Sequence, residues 1–131
     1  MPLDHIGINV VDIAATREYY DALGPLVGFT RAWSGEDWVA YTPVGGDGTQ
    51  VFFYTAEAGV PYSRHSTGLQ HLGFRVETRA AVDAAHAWAA QRGNEVLHPP
   101  RLFPAYHPDH YATFWVDPRG FKIEVVSFAS S

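Results

Sequence analysis

Apolar and polar residues alternate from Leu3 to Val10, with Ile6, Ile8 and Val10 facing one way and His5, Gly7 and Asn9 the other. That period of two predicts a strand with one buried face. Asp12 then stands where a helix N-cap is expected, and Ile13, Tyr19, Tyr20 and Leu23 supply an apolar helical stripe. Gly24-Pro25 ends or loosens this helix, and Gly28 opens the exit turn. Short strands follow over Phe29–Trp33, Trp38–Thr42 and Gln50–Thr55, separated by Ser34-Gly35 and by Gly45-Gly46-Asp47-Gly48. Glu57–Gly68 has no period and reads as a linker. The order then recurs: a strand over Leu69–Val76, and an Ala-rich helix over Arg79–Arg92 that ends at Gly93. Three strands follow, near Glu95–His98, Tyr111–Val116 and Phe121–Phe128. The prediction is β-α-β-β-β twice, an α+β chain built by internal duplication.

Aligning the halves sharpens this reading. His5-Ile6-Gly7-Ile8-Asn9-Val10 matches His71-Leu72-Gly73-Phe74-Arg75-Val76, an offset of 66 positions. Thr49-Gln50-Val51-Phe52-Phe53 matches Phe121-Lys122-Ile123-Glu124-Val125, an offset of 72. The second half therefore holds about six extra residues, and Pro99–His110, where no strand pattern exists, is the place for them. A long insertion beside a cavity is more often a functional lid than filler.

The alignment puts three residues with metal-binding chemistry at equivalent inward positions: His5, His71 and Glu124. The fourth equivalent position holds Phe52, which cannot coordinate. Two imidazoles and one carboxylate leave open positions, an arrangement that favours Fe(II) and is compatible with Mn(II), Ni(II) or Zn(II). A substrate could chelate there through two oxygens and be polarised. Gly7 and Gly73 would leave room above the ion. The bland alternative, that both histidines are satisfied by hydrogen bonds and Glu124 faces solvent, is countered by repeat equivalence and by the apolar neighbours Ile123, Val125 and Val126.

Composition narrows the function. At 131 residues the chain is long enough for one domain with a real core, and its 15% aromatic content favours a ring-lined pocket. A net charge of -5, with no run of basic residues, gives no reason to expect nucleic acid or an anionic membrane. The absence of Cys excludes disulfides and thiolate chemistry. No signal-peptide pattern or membrane-length apolar stretch is present, so a cytoplasmic protein with a small-molecule substrate is expected.

The His5-Ile6-Gly7-Ile8 strand with Val10 and Asp12, the His71-Leu72-Gly73-Phe74 strand, and the closing Asp117-Pro118-Arg119-Gly120-Phe121-Lys122-Ile123-Glu124 resemble the vicinal oxygen chelate superfamily. That group includes glyoxalase I, bleomycin- and fosfomycin-resistance proteins, methylmalonyl-CoA epimerase and extradiol dioxygenases. The resemblance runs from Leu3 to Val126. It implies one domain over 1–131, with module one at about 1–56, the linker at 57–68 and module two at 69–128. It further implies a cupped mixed sheet around a central cavity, divalent-metal chemistry and homodimers. Glyoxalase I and the epimerase usually carry a fourth ligand where this chain has Phe52, which weakens the isomerase readings. Extradiol enzymes usually place a tyrosine ten residues before the glutamate, and Phe114 stands there.

The first expectation is thus a metal-dependent, dioxygenase-like oxidoreductase acting on a small oxygenated, aromatic or hydrophobic molecule. A glyoxalase-like lyase or isomerase comes second, and a metal-free, bleomycin-resistance-type drug-binding protein third. Tyr111 and His107 are the candidate catalytic acid/base groups, with His110 beside them on the insertion, which is expected to close over the site. Trp38, Phe52, Tyr54, Arg75 and Trp115 are candidate substrate-binding residues; Trp33 and Tyr41 are further pocket-wall candidates, and Asn9 an inward polar one. His98, His65 and His86 read as structural or exposed.

Overall fold

The computed structural model describes residues 3–131. The contacts divide the chain into two units, one up to Val60 and the other from Pro61 onward.

In the first unit, β1 (His5–Val10) is followed by α1 (Ile13–Leu23), a single 3₁₀ turn (Gly24–Leu26), β2 (Phe29–Ser34), β3 (Trp38–Pro43) and β4 (Gln50–Thr55). Asp12 caps α1 as its position predicts, its carboxylate accepting from Ala15 N at 3.0 Å. The sheet order is β1-β4-β3-β2, with β1 parallel to β4 and the other pairs antiparallel. Ile8 and Val10 are buried while His5, Gly7 and Asn9 are exposed, and Tyr19, Tyr20 and Leu23 bury the helical stripe. Each large apolar side chain removed from water contributes about 1.5–3 kcal/mol, which holds α1 on β3 and β4.

The second unit repeats the plan with β5 (Leu72–Arg75), α2 (Arg79–Gln91), β6 (Glu95–Leu102), β7 (Tyr111–Val116) and β8 (Lys122–Ser127). Its order is β5-β8-β7-β6, again with the first strand parallel to the last. Thr78 caps α2 through Ala81 N at 3.1 Å. Val82, Ala85 and Ala89 are buried on this helix, and Trp88 meets the fully buried Trp115 with ring centroids 6.5 Å apart. The chain is two βαβββ modules, as the pattern of the sequence predicts.

One element is longer than its sequence pattern. Pro99–Leu102 continues β6 rather than forming loop. Prolines are tolerated because β6 is the edge strand of its sheet, where a missing N–H faces no partner. The register against β7 shifts twice, between Val96 and His98 and between His98 and Arg101, and each shift takes up one extra residue as a bulge. Only Phe103–His110 remains as a turn, closed by Phe103 N donating to His110 O at 2.8 Å.

Candidate functional site

The ladders test the internal alignment directly. Gly7 lies opposite Phe52 across β1 and β4, and Gly73 lies opposite Glu124 across β5 and β8. Phe52 and Glu124 thus hold the same place in their modules, both on the sheet face opposite the helix.

In the second unit Glu124 is 7% exposed, an acidic side chain between the fully buried Ile123 and Val125. Such a group needs partners. Two imidazole nitrogens face its opposite oxygens: His71 Nε2 lies 3.1 Å from Oε1, and His110 Nε2 lies 2.7 Å from Oε2. The three line one cavity of about 340 Å³ with Gln70, His98 and Lys122, and with the rings of Phe103, Tyr106 and Phe114. The Asp117-Pro118-Arg119-Gly120 motif sets up the approach to Glu124. The Asp117 carboxylate accepts from Arg119 N and Phe121 N, each at 2.9 Å, and so shapes the turn that feeds β8.

The two repeat-equivalent histidines share a further feature. His5 Nδ1 donates to the Asp4 carboxylate at 2.8 Å, and His71 Nδ1 is engaged by the Gln70 side-chain oxygen. A neighbour that accepts from Nδ1 fixes the ring and leaves Nε2 as the donor atom for a ligand, the usual support of a metal-binding imidazole. Separation adds to this. Two donors about 2.1 Å from an ion at a right angle to each other stand about 3.0 Å apart, close to the 3.1 Å between His71 Nε2 and Glu124 Oε1. The pair therefore fits a divalent cation by chemistry and by spacing. Among the described residues no three His, Asp or Glu side chains form a ready-made metal cluster.

The same face of the first unit is aromatic. Phe52 has its ring 5.1 Å from that of His5, and near-parallel to those of Trp38, Tyr54 and Trp33, at interplanar angles of 8°, 19° and 27°. Trp33 and Tyr54 are 51% and 41% exposed, so the array offers ring surface. The missing side chain of Gly7 makes room for Tyr54, whose ring would lie 3.3 Å from a Cβ there. At Gly73 such a Cβ would lie 3.5 Å from Glu124 Oε1.

Several expected residues lie elsewhere. Tyr111, Thr113 and Trp115 alternate onto the helix-covered face of β7, not the face of Glu124. The Tyr111 hydroxyl donates to Asp83 of α2 at 2.7 Å, and this bond raises its pKa. Trp115 is fully buried. His107 is exposed; its Nδ1 accepts from Asp109 N at 3.0 Å, which spends it on turn geometry. Arg75 lies over the Phe128 ring at 5.0 Å, in a separate cavity of about 500 Å³ with Val76, Glu77 and Ala129. Tyr41 is buried, its hydroxyl donating to Asp21 at 2.9 Å. Conversely His98, set aside by the sequence reading, lines the Glu124 cavity. His98 stands between two register shifts of β6, where period-two counting changes face. Of the three candidates His107, His110 and Tyr111, His110 reaches the Glu124 carboxylate, while His107 and Tyr111 are engaged elsewhere.

No helix among the described residues is long and apolar enough to cross a membrane. The uncharacterized protein YqjT of Bacillus subtilis (strain 168) is 28% identical over 133 residues, covering 95% of this chain and 98% of YqjT. The crystal structure of a glyoxalase candidate from Bacillus halodurans superposes with a TM-score of 0.78 at 28% identity, over 95% of this chain and 94% of that one. A glyoxalase/bleomycin resistance protein from Albidiferax ferrireducens T118 has a TM-score of 0.79 at 22% identity, over 97% and 99% of the two chains, and shows the same fold. The family model matches residues 2–125, and the chain belongs to the glyoxalase/bleomycin resistance protein/dioxygenase superfamily.

Proposed function

We propose that this chain is a metal-dependent enzyme of the superfamily, a dioxygenase-like oxidoreductase acting on a small oxygenated molecule with an aromatic or hydrophobic body. The observation that carries the reading is the His71–Glu124 pair, 3.1 Å apart, with the far nitrogen of His71 already engaged by Gln70. Divalent metals are common in the superfamily. His71 and Glu124 would hold the cation; His5, the repeat equivalent of His71 with the same support at Nδ1, is the further ligand that the sequence repeat suggests. When bound, the cation supplies polarisation of substrate oxygens and, as Fe(II), the capacity for oxygen chemistry.

The chain's own residues do the rest. Phe52, Tyr54 and Trp38 offer parallel ring faces on which a planar substrate can stack. Lys122 stands two positions before Glu124 in the cavity, with its Nζ 5.0 Å from the Phe114 ring centre, and can counter charge on a substrate oxygen. Phe52 supplies no second carboxylate at the place equivalent to Glu124, so a proton-shuttling isomerase lacks its usual base there. A glyoxalase-like lyase is the second reading, favoured by the likeness to the Bacillus halodurans protein. A metal-free drug-binding protein is disfavoured by the donor pair.

The test is elemental analysis of protein purified without an affinity tag, followed by anaerobic Fe(II) loading and oxygen-electrode assays with a panel of catechols. Oxygen uptake that is lost in His71→Ala is expected. Turnover of a methylglyoxal–thiol hemithioacetal without oxygen uptake would move the assignment to the lyase. Failure to take up any divalent metal would overturn both enzyme readings.

A further inference from the structure

The insertion that distinguishes the second module from the first delivers one side chain to the buried carboxylate. We infer that His110 is a positioning residue for Glu124: its Nε2–H occupies Oε2, so that Oε1 alone is presented beside His71, and a divalent cation is held through one carboxylate oxygen. This rests on the metal reading above.

The geometry is specific to this group. His110 Nε2 lies 2.7 Å from Oε2, shorter than the 3.1 Å from His71 to Oε1, and the His110 side chain is only 14% exposed. Three rings enclose the imidazole: Tyr106 and Phe128, each with its centroid 5.3 Å away, and Phe103 at 6.1 Å. The backbone beneath is tied down by the Phe103 N to His110 O bond at 2.8 Å, and by His110 N donating to His107 O at 3.1 Å. Asp109, one residue earlier, lies 3.6 Å from Arg79 on α2. A carboxylate turning freely could chelate a cation with both oxygens. One whose outer oxygen already accepts a short bond from a packed imidazole presents its other oxygen, Oε1, to a cation. The first module has no counterpart, because Phe52 replaces the carboxylate and the hairpin between β2 and β3 has no insertion. The extra residues and the extra ligand thus occur in the same module.

The full chain, freed of metal, is titrated with Co(II) alone as wild type, His110→Ala, His110→Gln and Glu124→Ala, reading affinity by calorimetry and coordination by the visible ligand-field bands. Loss of a partner to a ligating group typically weakens metal binding about 10–100-fold, and that loss is expected in His110→Ala, with altered bands. His110→Gln, whose amide N–H can donate to Oε2, is expected to recover most of the affinity. A residue serving only to hold the turn would not be rescued this way. Carboxylate infrared bands of the wild type, labelled with ¹³C-glutamate, provide a check without any variant: a wide splitting, the mark of one-oxygen ligation, is expected on Co(II) addition. Unchanged affinity and bands in His110→Ala, or two-oxygen ligation in the wild type, would overturn the inference while leaving the metal site intact. Equal Co(II) uptake by wild type and Glu124→Ala would overturn the metal reading and this inference together.

Discussion

Tyr111 and His110 are adjacent in the chain, yet strand alternation and the turn send their side chains to different places. Tyr111 donates to Asp83 on the helix side and His110 to Glu124 on the cavity side. Tyr111→Phe should therefore leave Co(II) affinity and turnover unchanged and cost about 1 kcal/mol in denaturant stability, one ordinary hydrogen bond. A tenfold loss of activity in that variant would restore Tyr111 to the chemistry. A second residue-scale prediction concerns Asp21, which accepts from Arg31 and from Tyr41. Arg31, through its hydrogen bonds, is the main cause of the lowered Asp21 pKa. The stabilisation is therefore complete above the ordinary carboxylate range, near pH 4, and is lost as pH falls through the lower folded value. Asp21→Asn should flatten the stability profile below about pH 4, measured by urea unfolding at a series of pH values. The identities of His71 and Glu124 were legible from the repeat alone, because the two ladders preserve the register that the alignment assumes. His110 was not singled out, because three titratable residues in one irregular segment cannot be ranked until the turn is closed.

Elements were most legible where period and cap agree. Asp12 and the α1 stripe are the clearest case, and Gln50–Thr55 and Tyr111–Val116 match their observed bounds. The sequence predicts a shorter β6 because Pro99-Pro100 breaks any ordinary strand pattern; its place at a sheet edge makes those residues compatible with pairing. The same sheet position predicts how the element fails. Pro100→Val should be tolerated in stability, measured by thermal unfolding, yet should promote self-association, because it restores an edge donor. At the other hairpin, a side chain at Gly35 would collide with the Trp38 indole. Gly35→Ala should cost about 1–3 kcal/mol and shift tryptophan emission, since Trp38 would have to leave its near-parallel place beside Phe52. An unchanged emission spectrum would show that the ring array does not depend on this approach.

At the scale of the whole molecule, each unit ends in strands that carry unpaired backbone groups on one side: β1 and β2 in the first sheet, β5 and β6 in the second. Exposed edges of this kind favour pairing with another copy, and we propose that the chain is a homodimer. Sedimentation velocity at micromolar concentration should give a dimer; a monomer would refute it.

The parallel pairing of first strand with last, β1 with β4 and β5 with β8, has a topological consequence. Each module closes its own ladder, so no strand pair among the described residues crosses the segment that joins them. Glu57–Val60 is exposed, whereas Tyr62, just beyond, packs its ring 4.6 Å from that of Phe121 and belongs to the second unit. The peptide between Ala56 and Pro61 is therefore a seam. A protease cut or a flexible insertion there severs connectivity without unpairing a single strand, and doubling the length of such a tether costs only about 0.6 kcal/mol. A chain organised this way can be lengthened, permuted or divided at one place without changing the register that sets Glu124 beside Gly73.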